Sequence, residues 1–503
     1  MNTHFLPYIV YTKGAFKVSL RGRFRGALFL SFYLINCCFV QAAIKPNSLF
    51  SEHAVFQQGI SVPIWGTSDT DEQVTVEFNG QRKQATTVDN KWMIQLDAMP
   101  AGGPYNLVIS GKDNRLEIKD IYVGEVWVCS GQSNMERQLG PRPPQPLITN
   151  WEKERDAANY PLIREYYVPI TSADDPVEDI GSKWVVCSPE TVQEFSCVGY
   201  FFARDLYKAL NVPIGMIFSA VGGTPAEFWT SRAELESHPE FKAVVEKYDR
   251  SLMNFPKQLA QYKRDGSIGE APENPAERRH VFGHYNAMII PLQPYAIKGV
   301  IWYQGESNVH NTEQYKTLFP LMIKNWRDSW QQGDFPFLFV QVAPFKDMPP
   351  EIRDAQLISL KSTKNTAMVV TTDCGDANDI HPSYKQPVGY RLSLAARALA
   401  YGQDIEYSGP IYEFMEVKDD KAIVYFSHAL SGLISKNGNL KGFTIAGADG
   451  NFVPAKAQIK NNTVIISNPD VKKPVAVRYG WAHVPEVNLY NKANLPASPF
   501  KTD

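Results

Sequence analysis

Cysteine is scarce in this chain, with 6 among 503 residues and none spaced as a CxxC pair. That pattern gives no support to a zinc site built of thiolates. Charge of one sign is also missing: Lys and Arg total 51, Asp and Glu total 53, and the formal net charge is −2. The balance gives no sign of a polyanionic partner and argues against nucleic acid. After residue 40 no apolar run is long enough to cross a membrane. Repeats and low-complexity tracts are absent, which excludes solenoids and arrays. Gly-x-Ser-x-Gly is absent too, and so is a long apolar lid, which lowers a peptidase or lipase of that elbow type.

What is present begins at the N-terminus. Lys13, Lys17, Arg21, Arg23 and Arg25 precede an apolar run from Ala27 to Val40, and Val40-Gln41-Ala42 places small residues at positions −3 and −1 of a cleavage site. This reads as a secretory signal peptide over 1–42 and implies an exported chain, periplasmic or secreted. A signal anchor is the competing reading. Cleavage after Ala42 leaves Cys129, Cys187, Cys197 and Cys374. A Cys187–Cys197 disulfide and four buried thiols fit this pattern equally well.

The remainder is long enough for two or three domains. Residues 43–118 alternate apolar and polar positions in short runs, such as Gln73 to Phe78 and Lys91 to Leu96, with Asn79-Gly80 and Gly102-Gly103 between runs. Period two predicts a small β-sandwich-like domain. From 119 to 404 continuous apolar runs alternate with helical stretches. Strands are expected at Val126–Cys129, Ile214–Ser219, Val300–Tyr303, Phe337–Val342 and Met368–Thr372, and helices at about 197–210, 313–331, 350–363 and 386–400. This predicts α/β architecture, a parallel sheet covered on both faces, with ligands at the carboxyl ends of the strands. Residues 232–280 are polar and read as a helical insertion. Period two returns over 405–503, a second β-region.

Polar clusters follow successive strands. They are Ser130-Gly131-Gln132-Ser133-Asn134-Met135, Ala220-Val221-Gly222-Gly223-Thr224-Pro225, Gln304-Gly305-Glu306-Ser307-Asn308 and Asp376-Ala377-Asn378-Asp379-Ile380-His381-Pro382. Each alone is an ordinary turn or helix entry. Together they fall on one rim of one sheet and meet the needs of acyl transfer. Ser133 is a hydroxyl nucleophile, His381 its base, and Asp379 a carboxylate that can fix the imidazole tautomer. The amides of Ser133 and of Gly222 or Gly223, with the Gln304 carboxamide, are candidate oxyanion donors. Trp229, Trp302 and Tyr303 are candidate stacking platforms for a sugar or simply walls of a pocket. Pro141 to Pro146 reads as a rigid loop beside that pocket. His284 and His310 lie near the motifs and are commoner as solvated loop histidines. No residue pattern calls for a cofactor or metal.

The segments Gly124 to Met135, Val221 to Ser231, Ile301 to Asn308 and Asp379 to Lys385 carry a resemblance. With Arg353, Gln356 and the closing Asn488 to Asn491 and Pro499-Phe500, they resemble the sialate O-acetylesterase family of the SGNH-hydrolase superfamily. The likeness spans nearly the whole mature chain. It implies a flavodoxin-like three-layer sandwich with a parallel sheet, flanked by small all-β regions, and a carboxylic ester hydrolase that needs no cofactor. Ser133 matches the nucleophile, His381 the base, Gly223 (or Gly222) the oxyanion glycine and Gln304 the third donor. The superfamily pattern sets an aspartate three residues before the histidine, which here is Asn378. The resemblance to the acetylesterase branch assigns Asp379 instead, with Asp376 as the alternative. Glu306 is expected to hold the Gln304 loop.

The implied partner is an acetylated carbohydrate, either sialic acid or a hemicellulose-type glycan such as xylan. A sialic acid needs a cation for its carboxylate, and Arg137, Arg353 and Arg391 are candidates; with Trp229 and Trp302, Arg353 is taken as a substrate contact. The competing class is a non-catalytic carbohydrate-binding protein, against which intact Ser133, Gln304 and His381 speak.

Overall fold

The computed structural model describes residues 44–503, and the signal-peptide reading of 1–42 lies outside them. One strand organises the whole: β1, Arg115–Gly131, 17 residues long. Its first half pairs antiparallel with Gly102–Ser110 and, at Tyr122 to Gly124, parallel with Val55–Gln57. Its second half, from Glu125, pairs parallel with strands of the central sheet. The boundary expected at 118/119 therefore falls inside a strand, because β1 belongs to both sheets. A second, three-stranded sheet of Ile44–Pro46, Val62–Ser68 and Lys91–Leu96 completes the leading β-region.

Across the central sheet lie Trp184–Cys187 (β3), Tyr160–Tyr167 (β2), Ile214–Ala220 (β4), β1, Gly299–Tyr303 (β5), Phe337–Val340 (β6) and Thr366–Val369 (β7). All neighbours run parallel except β3, which is antiparallel to β2. The sheet is thus mixed rather than purely parallel. β2 escapes sequence reading because Arg164 and Glu165 interrupt its apolar run. Both are buried: Arg164 pairs with Asp120 at 2.8 Å, and burial raises the Glu165 carboxyl well above the usual range.

Alternation along buried strands feeds two cores. Val126, Val128, Val300, Trp302, Phe337 and Phe339 face one core with helices α3 (Thr312–Trp330) and α4 (Pro350–Ser362). Trp127, Cys129, Ile301, Tyr303, Leu338 and Val340 face the other, with α1 (Cys197–Leu210) and α5 (Gln386–Leu399). Each large apolar side chain so buried is worth about 1.5–3 kcal/mol relative to exposure. The segment expected as an insertion holds the helices Arg232–Ser237 and Pro239–Arg264 (α2).

Small antiparallel sheets form the C-terminal region. One holds Ile411–Lys418, Lys421–Ser427, Thr463–Ser467 and Lys456–Lys460; another holds Phe443–Ala446, Ala476–Tyr479 and Phe500–Lys501. All four cysteines of the described residues are buried free thiols. No helix among the described residues is long and apolar enough to cross a membrane.

Candidate active site

β1 ends at Gly131 with φ of +137°, and a Cβ there would lie 2.2 Å from the Tyr303 carbonyl oxygen of β5. Only glycine lets the two backbones run this close while the chain turns. Gln132 then locks the turn. Its N–H donates to Tyr303 O at 2.9 Å, and its side-chain oxygen accepts from the Ser307 N–H at 3.1 Å. Ser133 opens a single helical turn, Ser133–Glu136, whose Asn134 and Met135 are buried while Ser133 itself is half-buried. Among the described residues, neither the Ser133 N–H nor its hydroxyl has a hydrogen-bond partner.

The loop after β4 presses against this turn. A Cβ on Gly222 would sit 3.2 Å from Ser133 Cβ. The Gly222 N–H, however, donates to the Glu136 carboxylate, and its carbonyl accepts from Arg279 at 2.8 Å. Gly223 has φ of +72°, open space where a Cβ would stand, and no acceptor for its N–H among the described residues. The Ser133 and Gly223 amides are thus both without an acceptor among the described residues, and Gly222 brings the second loop against the Ser133 turn. Of the two glycines, Gly223 is the one whose donor is free.

Gln304 corrects an expectation. Its carboxamide is fully buried; its two N–H donors go to Thr224 O at 3.2 Å and Asn308 Oδ1 at 2.7 Å, and its oxygen accepts from Tyr315. No donor remains for an oxyanion, so Gln304 braces one rim loop against another. Gln356 supports it by donating to the Gln304 carbonyl at 3.1 Å.

His381 lies on the loop after β7. Asn134 Nδ2, next to Ser133, donates to the carbonyl of Ile380, next to His381, at 3.0 Å. The two segments are therefore bonded directly. Asp379 accepts from the His381 N–H at 2.7 Å, and its carboxylate oxygen stands 3.7 Å from Nδ1. Asp376 instead caps the Asn378 N–H at 2.8 Å. Asp379 is thus the carboxylate beside the imidazole. Burial lowers the His381 pKa, the Lys385 ammonium lowers it further, and Asp379 opposes both. The lowered pKa favours the neutral imidazole.

The expected substrate contacts do not survive. Trp229, Trp302 and Arg353 are each wholly buried. Trp302 packs edge-on to Trp229 and Trp326 in a core, and Trp229 donates its indole N–H to Thr224. Arg353 donates to the Ala482 and His483 carbonyls of the C-terminal region. In this structure none of the three presents surface to solvent. Arg137 is spent on the Gln138, Gly140 and Pro146 carbonyls, which fastens the proline-rich loop, and Arg391 on Asp373 at 2.6 Å. His284 is buried against Trp229 with its pKa pushed down to about 4 by desolvation, whereas His310 is exposed.

Sequence reading missed three groups. Arg279 is exposed and pinned by one nitrogen to the glycine loop. Glu136 holds that loop and pairs with Arg142. Asn134 joins three segments. Asn134 stood inside a recognised motif; nothing about Arg279 in sequence marked it. Among the described residues no group of three or more His, Cys, Asp or Glu is placed to hold a metal ion.

Comparison with known proteins gives consistent results. The sequence model of a family described as "Carbohydrate esterase, sialic acid-specific acetylesterase" matches residues 279–398. Sialate O-acetylesterase of Rattus norvegicus is 31% identical over 507 residues, covering 87% of this chain and 90% of that protein. The Homo sapiens protein of the same name is 31% identical over 491 residues, covering 87% and 88%. The crystal structure of a carbohydrate acetylesterase from Xanthomonas citri superposes with a TM-score of 0.79 at 34% identity, covering 92% of this chain and all of that one.

Proposed function

The chain belongs to the sialate O-acetylesterase family and is a carboxylic ester hydrolase, and from that premise we propose that it is an exported serine esterase that deacetylates sialic acid through an acetyl-enzyme on Ser133. Its central domain is then of the SGNH type. Acetylated carbohydrate as the substrate class follows from the family. One observation carries the mechanism: the half-buried Ser133 lies against the Gly222 loop, the Ser133 and Gly223 amides have no acceptor among the described residues, and the Ser133 segment is bonded to that of His381.

In the first half-reaction Ser133 Oγ attacks the acetyl carbonyl while His381 takes the hydroxyl proton. The tetrahedral oxyanion accepts from the Ser133 and Gly223 N–H groups, each worth about 10²–10³ in rate. The sugar oxygen leaves with the proton from His381. Water, deprotonated by His381, then attacks the acetyl-enzyme, and acetate departs as Ser133 recovers its proton. Asp379 favours the imidazolium formed in each step.

Arg279 supports an acidic sugar. One guanidinium nitrogen is anchored on Gly222 O at 2.8 Å, and the rest of the exposed fork is placed to receive a carboxylate near the oxyanion glycine. The test is acetate release from 9-O-acetylated sialic acid beside acetylated xylan, for wild type, Ser133→Ala and Arg279→Gln. Wild type is expected to prefer the sialic acid, and Ser133→Ala to release no acetate. Arg279→Gln should lose about tenfold to a hundredfold on that substrate alone. Equal rates for wild type and Ser133→Ala would remove the serine mechanism, and preference for xylan would replace the substrate. Export rests on the N-terminal segment; the exported protein is expected to begin at Ala43 by mass spectrometry of its N-terminal peptide.

A further inference from the structure

Lys385 has no part in the steps above, yet it lies among them. It caps the N-terminus of α5, four residues after His381, and is only 1% exposed. An ammonium is unfavourable there twice over, since burial removes its water and the helix N-terminus carries partial positive charge. Surface solvation would have been easier for so long a side chain. Its surroundings account for its retention.

Lys385 Nζ donates to Asn134 Oδ1 and stands 5.2 Å from the centre of the Tyr303 ring. Asn134 Nδ2 donates in turn to Glu306 Oε1 and, at 3.0 Å, to Ile380 O. The two polar atoms of one buried carboxamide thereby tie three segments together: α5, the loop after β5 and the histidine loop. The backbone of that same residue follows Ser133. Glu306 Oε2 has no hydrogen-bond partner, so a lysine cation and a carboxylate flank Asn134 with little else to compensate either.

We propose that Lys385 is a positioning residue for the catalytic pair, acting through Asn134 to fix the Ser133 turn against the His381 loop. The inference rests on Ser133 and His381 being nucleophile and base. A group used only for packing would hold the fold and leave the chemistry alone. Lys385 differs because its charge reaches the base. Beyond burial, it is the strongest influence lowering the His381 pKa, with Arg142 and Arg137 acting the same way and Asp379 opposing them. Lys385 is itself pushed down to about 8 by burial, with Cys197, Glu306 and Cys374 opposing and Arg137 adding to the lowering. It is therefore mostly charged near neutral pH.

The experiment compares Lys385→Met, Lys385→Gln and Lys385→Arg with wild type and Ser133→Ala, using p-nitrophenyl acetate. It reads kcat, KM, the acid limb of the pH profile and the melting temperature. Lys385→Met is expected to lose about tenfold to a hundredfold in kcat with KM within about twofold. Its acid limb should move to higher pH, because His381 gains basicity once the neighbouring cation is gone. Lys385→Gln keeps a donor for Asn134 and should show the same shift of the limb, which preserves the test where the methionine variant does not fold. Lys385→Arg should keep the wild-type limb. If the neutral variants match wild type in kcat per folded molecule and in acid limb while Ser133→Ala is inactive, Lys385 is structural only and the inference is overturned. If Ser133→Ala remains active, the serine mechanism beneath it has failed instead.

Discussion

The Ser133 turn and the His381 loop meet at the same rim but are held in different ways. The serine side is built into the sheet. Its strand is buried from Val126 to Gly131, Gln132 and Asn134 are buried, and the bonds of both run to neighbouring loops. The histidine side is looser. Gly375 to Asn378 are exposed, and Asp379 reaches Nδ1 only at 3.7 Å, beyond a hydrogen bond. The difference teaches where precision is stored. The Ser133 turn is fixed by buried backbone and loop bonds, whereas the Asp379–His381 contact is not at hydrogen-bond distance in this structure.

The most severe way to break the comparison is to remove the base. His381→Ala is expected to lower kcat/KM by about 10⁴-fold or more with a small change in melting temperature, since His381 is only half-buried. A rate near wild type would show that this loop supplies no base. Gly131→Ala strikes the rigid side. The new Cβ would meet Tyr303 O at 2.2 Å in a backbone region that favours glycine, so a loss of about 3 kcal/mol or more is expected in urea unfolding.

Asp379→Asn sharpens the comparison on the loose side. Its carboxylate is partly solvated and 3.7 Å away, so about a tenfold loss in kcat is expected. Asp376→Asn, which disturbs only a turn, should stay within about twofold. The smallest effect is on pH dependence. The lowered His381 pKa keeps the base unprotonated below the usual histidine range, so the acid limb of wild-type kcat/KM should lie below pH 6.5. Asp379→Asn removes the charge that favours the imidazolium and should move that limb lower still.

What sequence alone revealed divides along physical lines. The Gly-rich clusters after the strands were legible because their chemistry is local: Gly131, Ser133, Gly223 and His381 stand where the spacing put them. The helices at 197–210 and 350–362 were legible because each buries a continuous face. Side-chain direction was not. Trp229 and Trp302 sit in motif segments yet point into a core, and Arg353 is buried against the Ala482 and His483 carbonyls; only packing decides that. The Gln304 donors were lost to Thr224 and Asn308, whose loops meet only in three dimensions. β2 was hidden because a buried Arg164 with an ion-pair partner looks, in sequence, like solvent exposure.

The length of β1 bears on how this enzyme can be cut and recombined. The strand that delivers Ser133 also closes the leading sheet, with Ile118 opposite Leu107 and Tyr122 beside Val55. A truncation starting at residue 119 would split one strand and uncover Ile121 and Val123, which are now wholly buried. The leading β-region is therefore not a detachable accessory. A hybrid that exchanges it with a relative would have to carry the entire strand across, the Ser133 turn included.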